Sequence, residues 1–183
     1  MKILSKLSIA AAAALMTTAV FAANPDVGGA AMFENKNIVE NAVNSADHTT
    51  LVAAVKAADL VDTLQSAGPF TVFAPVNAAF DALPAGTVDT LLKPENKDTL
   101  TKVLTGHVVA GKVSAADLVS KIKQSKDGFY HFQAVSGDAL SAQMRGRKVY
   151  IYDESGNASL VTIADVNQSN GIIHVVDKVL LPK

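Results

Sequence analysis

The spacing of apolar residues changes from a helical to a strand period about two-thirds of the way along the chain. Residues 38–43 and 51–64 carry apolar side chains every three to four positions, which predicts two helices in succession. Further helical patterns lie at residues 78–83, 88–92, 94–104 and 114–122. From residue 129 the period is two, which predicts strands at residues 129–135, 139–144, 148–152, 160–166 and 172–181.

Two short β-rich runs, residues 70–74 and 107–109, interrupt the helical part. Helices followed by a series of antiparallel strands predict an α+β fold rather than alternating βαβ units. The last predicted strand is apolar on both faces, as expected of a strand that is covered from both sides. We therefore expect it to lie in the centre of the sheet.

The first residues have the pattern of a targeting segment. Lys2 and Lys6 precede an uncharged apolar run at residues 7–20, and small residues follow up to Ala22. This pattern predicts a signal peptide at residues 1–22 and export to the periplasm or the medium. Residues 23–36 contain small residues and turn formers without a sustained period, so we expect a flexible lead-in there. Residues 37–183 then form one domain.

Composition limits the classes of partner. The 183 residues include no cysteine, so stability must come from packing, and no thiol is present to receive a lipid anchor. The formal charge is −1, and −3 without Lys2 and Lys6, which gives no electrostatic case for nucleic acid. No stretch after the signal peptide approaches the roughly 20 apolar residues of a spanning helix, so we expect no stable membrane insertion.

Two segments near opposite ends of the domain carry a family resemblance. Residues 71–84 (TVFAPVNAAFDALP) and 170–182 (NGIIHVVDKVLLP) resemble the first and second signature segments of the fasciclin, or FAS1, domain, and residues 49–64, 84–88 and 104–112 resemble the family in the same order. The resemblance implies a FAS1 fold: a compact wedge or sandwich of about seven β-strands with several helices packed on it. It also implies an extracellular, beta-Ig-H3-type role in cell adhesion, towards a cell-surface or extracellular protein or polysaccharide.

The same resemblance suggests binding residues. Asp165 and Val166 match an Asp-Ile pair that is implicated in integrin binding by animal members, although only the acid is kept here. The family's Tyr-His pair corresponds to Gly106 and His107, so the tyrosine is lost. A second candidate contact is the basic turn with Arg145 and Arg147, which suits an acidic polysaccharide.

Several polar residues of the signature segments have structural explanations. We expect Asn77 to cap the helix at residues 78–83, with Asp81 further along that helix. His107 and His174 lie in apolar strands and are expected to be buried and hydrogen-bonded. Asn170 and Gly171 are expected to form a turn in which glycine tolerates positive φ.

No motif predicts catalysis, a metal or a cofactor. The four histidines lack the spacing of a zinc site, and no serine has the Gly-x-Ser-x-Gly context of a nucleophile. Ser120 fits Ser-x-x-Lys in letters only. The leading interpretation is an adhesion or interaction module that is not an enzyme. Two alternatives stay open: a periplasmic carrier that encloses a small apolar or glycan ligand between helices and sheet, and a hydrolase that assembles a serine, a histidine and an acid.

Overall fold

The computed structural model describes residues 24–182, and the expected signal peptide at residues 1–22 lies outside them. The helices are α1 (Ile38–Ala42), α2 (Thr49–Ala57), α3 (Val61–Gln65), α4 (Asn77–Asp81), α5 (Thr87–Leu91), α6 (Lys97–Thr105) and α7 (Ala115–Gln124), with 3₁₀ turns at Ala46–His48 and Pro94–Asn96. The strands are β1 (Asp26–Val27), β2 (Ala30–Ala31), β3 (Phe70–Pro75), β4 (Val108–Ala110), β5 (Phe129–Gln133), β6 (Ala139–Arg145), β7 (Lys148–Tyr152), β8 (Ala158–Gln168) and β9 (Gly171–Val176). No helix within residues 24–182 has both the length and the apolar character needed to cross a bilayer.

Seven strands form one sheet in the order β4-β3-β9-β8-β7-β6-β5. Strands β5 to β9 follow one another as an antiparallel meander, while β3 lies parallel to β9. The amide of Val135 donates to the carbonyl of Val108 at 2.7 Å and joins the chain after β5 to β4. The sheet is therefore nearly closed into a barrel, and the predicted α+β fold with seven strands is confirmed.

Strand β9 is central, as its apolar sequence predicted, and all six of its residues are buried. One of its faces, with Ile173 and Val175, packs on a core that α1, α2 and α6 share. On the opposite face Val176 joins Phe73 in a second core beneath α7. Because a core packs on each face of β9, His174 is the one residue of this strand with a polar side chain.

The predicted helix at residues 51–64 is wrong in one respect, because it divides into α2 and α3. Asp59 has φ 56° and lies between them. The amide of Leu60 donates to the carbonyl of Val55 at 3.0 Å and closes the end of α2. Aspartate adopts this left-handed conformation more readily than most residues, which lets the chain turn without glycine.

The expected flexible lead-in is corrected for residues 26–36. Strands β1 and β2 form a hairpin, and Val27 and Met32 are both buried in the helical core. The amide of Ser169 also donates to the carbonyl of Lys36 at 2.9 Å. The apolar side chains of this segment are few and widely spaced, yet they suffice to fix it to the domain.

Candidate functional site

The predicted contact at Asp165 and Val166 proves to be largely structural. Asp165 has φ 59° in the bulged part of β8, and its Oδ1 accepts a hydrogen bond from the amide of Ala115 at 2.7 Å, at the first turn of α7. Its own amide donates to Nδ1 of His174 at 3.3 Å. Val166 is completely buried. The expectation that Val166 contacts a partner is therefore wrong, because its side chain points into the core.

The predicted basic turn lies between β6 and β7, where Arg145, Arg147 and Lys148 are all exposed. The guanidinium carbon of Arg145 lies 5.2 Å from the ring centre of Tyr150 and 5.3 Å from that of Tyr152. Such distances fit cation–π contacts on both rings. These contacts hold one cation of the turn over an aromatic surface.

That surface belongs to the outer side of strands β5 to β7. Phe129 lies opposite Gln143, and Gln143 lies opposite Tyr150, so the three share one row. Tyr152 donates its hydroxyl hydrogen to Oε1 of Gln143 at 2.9 Å and meets the Phe129 ring edge-on at 5.6 Å. We call Phe129, Gln143, Arg145, Tyr150 and Tyr152 the hairpin face. It combines half-buried aromatic rings with an exposed cation, while Tyr130 and Phe132 pack on the core side.

Asn77 caps a helix other than the predicted one. The cap position of α4 is Val76, and Asn77 is the first residue of that helix. Its Oδ1 instead accepts from the amide of Thr50 at 3.0 Å, in the first turn of α2, and its Nδ2 donates to the carbonyl of Ala46 at 2.8 Å. Asp81 is exposed at the end of α4. Asn77 therefore joins α4 to the start of α2.

Asn170 lies in the two-residue turn between β8 and β9, and Gly171 begins β9 without the expected positive φ. Nδ2 of Asn170 donates to the carbonyl of Leu64 at 2.7 Å, and Oδ1 accepts from the amide of Ile38 at 3.1 Å. Gly171 is absent from the residues with positive φ. It is needed because a Cβ at this position would overlap the carbonyl oxygen of Phe70. The expected conformational reason for this glycine is wrong, and close approach of two strands replaces it.

His107 and His174 are buried and fully hydrogen-bonded, as predicted. Nδ1 of His107 donates to the carbonyl of Val103 at 2.8 Å, and Nε2 accepts from the amide of Leu180 at 2.8 Å. Burial lowers the pKa of His107 to about 4, against the opposing effect of the Val103 carbonyl. Burial also lowers the pKa of His174, whose Nε2 donates to the carbonyl of Val113 at 2.8 Å. Both rings are therefore neutral near pH 7.

The structure also brings together a serine and a histidine that no sequence motif identified. Oγ of Ser45 and Nδ1 of His48 lie 2.9 Å apart, and both residues are buried. The second ring nitrogen, Nε2, has no hydrogen-bond partner. Within residues 24–182 no acid completes this pair into a triad, and no group of three or more His, Asp or Glu side chains is placed to hold a metal ion.

The class of protein is an α+β domain. Its buried histidines make hydrogen bonds within the fold, and its outer sheet face carries an exposed cation beside aromatic rings. A sequence model of the fasciclin domain matches residues 46–182. The chain belongs to the fasciclin family.

Two relatives illustrate its range. Protein sll1483 of Synechocystis sp. is 49% identical over 156 residues, which span 85% of this chain and 79% of that protein. The cell surface glycolipoprotein MPB83 of Mycobacterium bovis is 38% identical over 124 residues, which span 68% of this chain and 48% of that protein. The chain thus matches about four-fifths of one relative and about half of the other.

A solved structure shares the fold. The FAS1 domain pair from the insect cell adhesion molecule fasciclin I matches with a TM-score of 0.70 at 19% sequence identity. The match covers 80% of this chain and 51% of that chain. At this identity the likeness shows the fold alone.

Proposed function

We propose that this chain is an exported fasciclin-domain module that adheres to an extracellular polysaccharide or protein through its hairpin face. One observation carries the proposal: an exposed guanidinium, Arg145, is held over Tyr150 and Tyr152 beside the further cations Arg147 and Lys148. Flat rings offer a stacking surface to sugar rings, and arginine pairs with carboxylate or sulfate in a bidentate manner. An acidic polysaccharide suits this combination best.

Export is supported by the residues at the start of the chain and by one relative. Lys2, Lys6 and the apolar run at residues 7–20 have the order of a signal peptide. MPB83 is described as a cell surface glycolipoprotein. A role in adhesion is supported by membership of the fasciclin family. Cleavage after Ala22 is checked by mass spectrometry of the protein recovered from outside the cytoplasm.

Binding to immobilised alginate, a polymer of uronic acids, tests the contact surface, with neutral dextran as the second matrix. We expect retention on alginate that declines with added salt, because carboxylates pair with exposed cations. Replacing Arg145 and Arg147 together by alanine should weaken binding at least tenfold, as loss of two charge-assisted contacts implies. The Lys123→Ala, Lys126→Ala double variant removes the same charge from the last turn of α7 and the residues just after it, and it should bind within twofold of the wild type.

Equal losses from the two double variants would show that net charge alone drives retention, and unchanged binding by the arginine variant would exclude the hairpin face. Asp165 stays a second proposed contact, since its side chain is exposed. Asp165→Asn keeps the acceptor for Ala115 and removes the charge. A loss of binding by this variant at unchanged stability would move the contact from the hairpin face to β8.

A further inference from the structure

Two adjacent apolar cavities lie between the helices and the sheet. The outer cavity has a volume of about 60 Å³ and reaches the surface beside Lys56, Thr63 and Val135. The inner cavity has a volume of about 30 Å³. Four residues line both of them: Ile38, Ala42, Leu51 and Val72. The interior of the helical core is thus incompletely filled, with one side open to solvent.

The inner cavity contains one polar side chain. Nine of its lining residues are apolar, and the tenth is His48. His48 is 3% exposed, and its Nε2 has no hydrogen-bond partner, whereas Nδ1 is paired with Ser45. The Ala74 carbonyl lies near the ring and partly offsets the fall in the pKa of His48 caused by burial, but no hydrogen bond of normal geometry reaches Nε2. A buried nitrogen without a hydrogen-bond partner lowers the free energy of unfolding, unless a bound molecule supplies the missing hydrogen bond.

Water is a poor occupant of this position. A buried water normally makes two to four hydrogen bonds, and His48 is the single polar side chain that lines the cavity. Dry apolar cavities instead take up small hydrocarbons. A molecule that is apolar along its length and carries one polar atom at its end would satisfy both the walls and the nitrogen.

We propose that the two cavities form one binding site for a small apolar molecule with a terminal hydroxyl group, whose oxygen pairs with Nε2 of His48. A hydroxyl suits either tautomer of the ring, because it can donate to a bare nitrogen or accept from an N–H. A carboxylate would gain no ion pair there, since burial keeps the imidazole neutral near pH 7. The apolar part of the ligand lies along Leu51 and Val72 towards the outer cavity.

The N-terminal hairpin closes the inner end of this site. Val27 of β1 and Met32 after β2 supply part of its wall. The hairpin is fixed to the domain at Gly28, whose carbonyl accepts a hydrogen bond from the amide of Ala46 at 3.1 Å. The backbone approaches closely there, since a Cβ on Gly28 would lie 2.5 Å from Oγ of Ser45. These residues precede residue 46, where the match to the fasciclin domain begins. The proposed site is therefore built jointly by the family domain and by the segment before it.

A matched pair of small probes, 1-butanol and 1-chlorobutane, tests the site in the purified full chain, because both suit cavities of about 60 and 30 Å³. We expect 1-butanol to bind one to one and about tenfold more tightly than 1-chlorobutane, because only its hydroxyl pairs with Nε2. Its binding should shift the methyl NMR signals of Leu51 and Val72. In His48→Phe the advantage of 1-butanol should fall to less than twofold while 1-chlorobutane still binds. Since the readout is a ratio, a general loss of stability does not imitate this result.

The second part of the experiment uses variants that fill the cavities. Ala42→Phe should weaken both probes at least tenfold, and Val52→Phe, in the wall of the outer cavity alone, should do the same if the first variant fails to fold. Val43→Phe is the matched control, since it adds the same ring at an exposed position that lines neither cavity, and it should bind both probes like the wild type. Alginate binding should survive both cavity-filling variants, which separates this site from the proposed adhesion. Absence of binding by the wild type, an unchanged ratio in His48→Phe, or unchanged binding in a folded cavity-filling variant would overturn the proposal.

Discussion

Nε2 of His107 accepts a hydrogen bond from the amide of Leu180 at 2.8 Å, across 73 positions of sequence. Because Nδ1 of the same ring donates to the carbonyl of Val103, both nitrogens are committed and the ring has a defined tautomer. A second proton on Nε2 would face the N–H of Leu180. This contact ties the end of the chain to α6 in the neutral state of the ring only.

Stability should therefore fall as the pH drops below 6.5. The pKa of His107 is about 4 in the folded protein and near 6.5 in the unfolded chain, so the unfolded chain binds the proton first. The contribution of His107 is complete above pH 6.5 and declines by about 3 kcal/mol between pH 6.5 and pH 4. The free energy of unfolding is measured with denaturant at several pH values from 7 to 5. Its slope against pH should be smaller in His107→Gln than in the wild type, by up to about one bound proton. The exposed His131→Gln is the control, and equal slopes in both variants would contradict the assignment.

Asn77 should stabilise the protein through both ends of its amide. Asn77→Ala removes the acceptor for Thr50 and the donor to Ala46, so we expect a loss of about 1–3 kcal/mol. Asn77→Asp keeps the acceptor at the start of α2 and should lose less than the alanine variant. Urea unfolding of the three proteins gives the order, and an aspartate variant less stable than the alanine variant would contradict it.

Gly171→Ala should be far more harmful than alanine at a glycine that is free of contacts. Its Cβ would overlap the backbone of Phe70 in the central parallel pair, so we expect a loss of more than about 4 kcal/mol or no folded protein. Gly156→Ala is the matched control, since Gly156 has φ 81° and no atom near its Cβ position, and it should cost about 1–2 kcal/mol. Similar melting temperatures for the two variants would refute the close-approach explanation.

Asp165 should tolerate asparagine better than glycine, and glycine better than alanine. Asparagine keeps an acceptor for Ala115 and adopts left-handed backbone readily, so a loss below about 1 kcal/mol is expected. Glycine loses only the hydrogen bond, whereas alanine also carries the left-handed strain and should lose about 2 kcal/mol. Thermal unfolding of the three variants measures the order. An alanine variant as stable as the asparagine variant would show that the carboxylate contributes nothing at α7.

Arg145→Lys should separate charge from stacking on the hairpin face. Lysine keeps the cation but lacks the planar group that lies over Tyr150 and Tyr152. We expect alginate binding to fall about threefold to tenfold while its salt dependence stays the same. The control is Arg147→Lys, in the same turn but outside the ring contacts that Arg145 makes, and it should bind like the wild type. If both lysine variants bind equally well, the aromatic rings take no part in recognition.

The local structure of this fold was largely predictable, and its long-range contacts were not. The helical pattern at residues 114–122 corresponds to α7, which begins at a capping box between Ser114 and Asp117. The meander followed from the alternation of apolar residues after residue 129. By contrast, no local pattern says that β3 pairs with β9, or that Asn77 bonds to Thr50, because both contacts join residues that are distant in sequence.

The candidate sites divide in the same way. The basic turn at Arg145 was visible in the sequence, and counting across the hairpin to Tyr150 would have placed the rings beside it. The prediction that Val166 contacts a partner rested on a family resemblance, whereas the irregular register of β8 places this side chain in the core. His48 could not be found at all from the sequence, since only burial reveals that one of its nitrogens has no partner.

The parallel pairing of Phe70 with Gly171 also sets an order of events during synthesis. About a hundred residues separate these two partners along the chain, so the growing chain stays without its central ladder until β9 has been made. Closure of so long a loop is slow compared with the formation of helices. The central ladder of this sheet is therefore a late step in folding, made after the helices that pack on it.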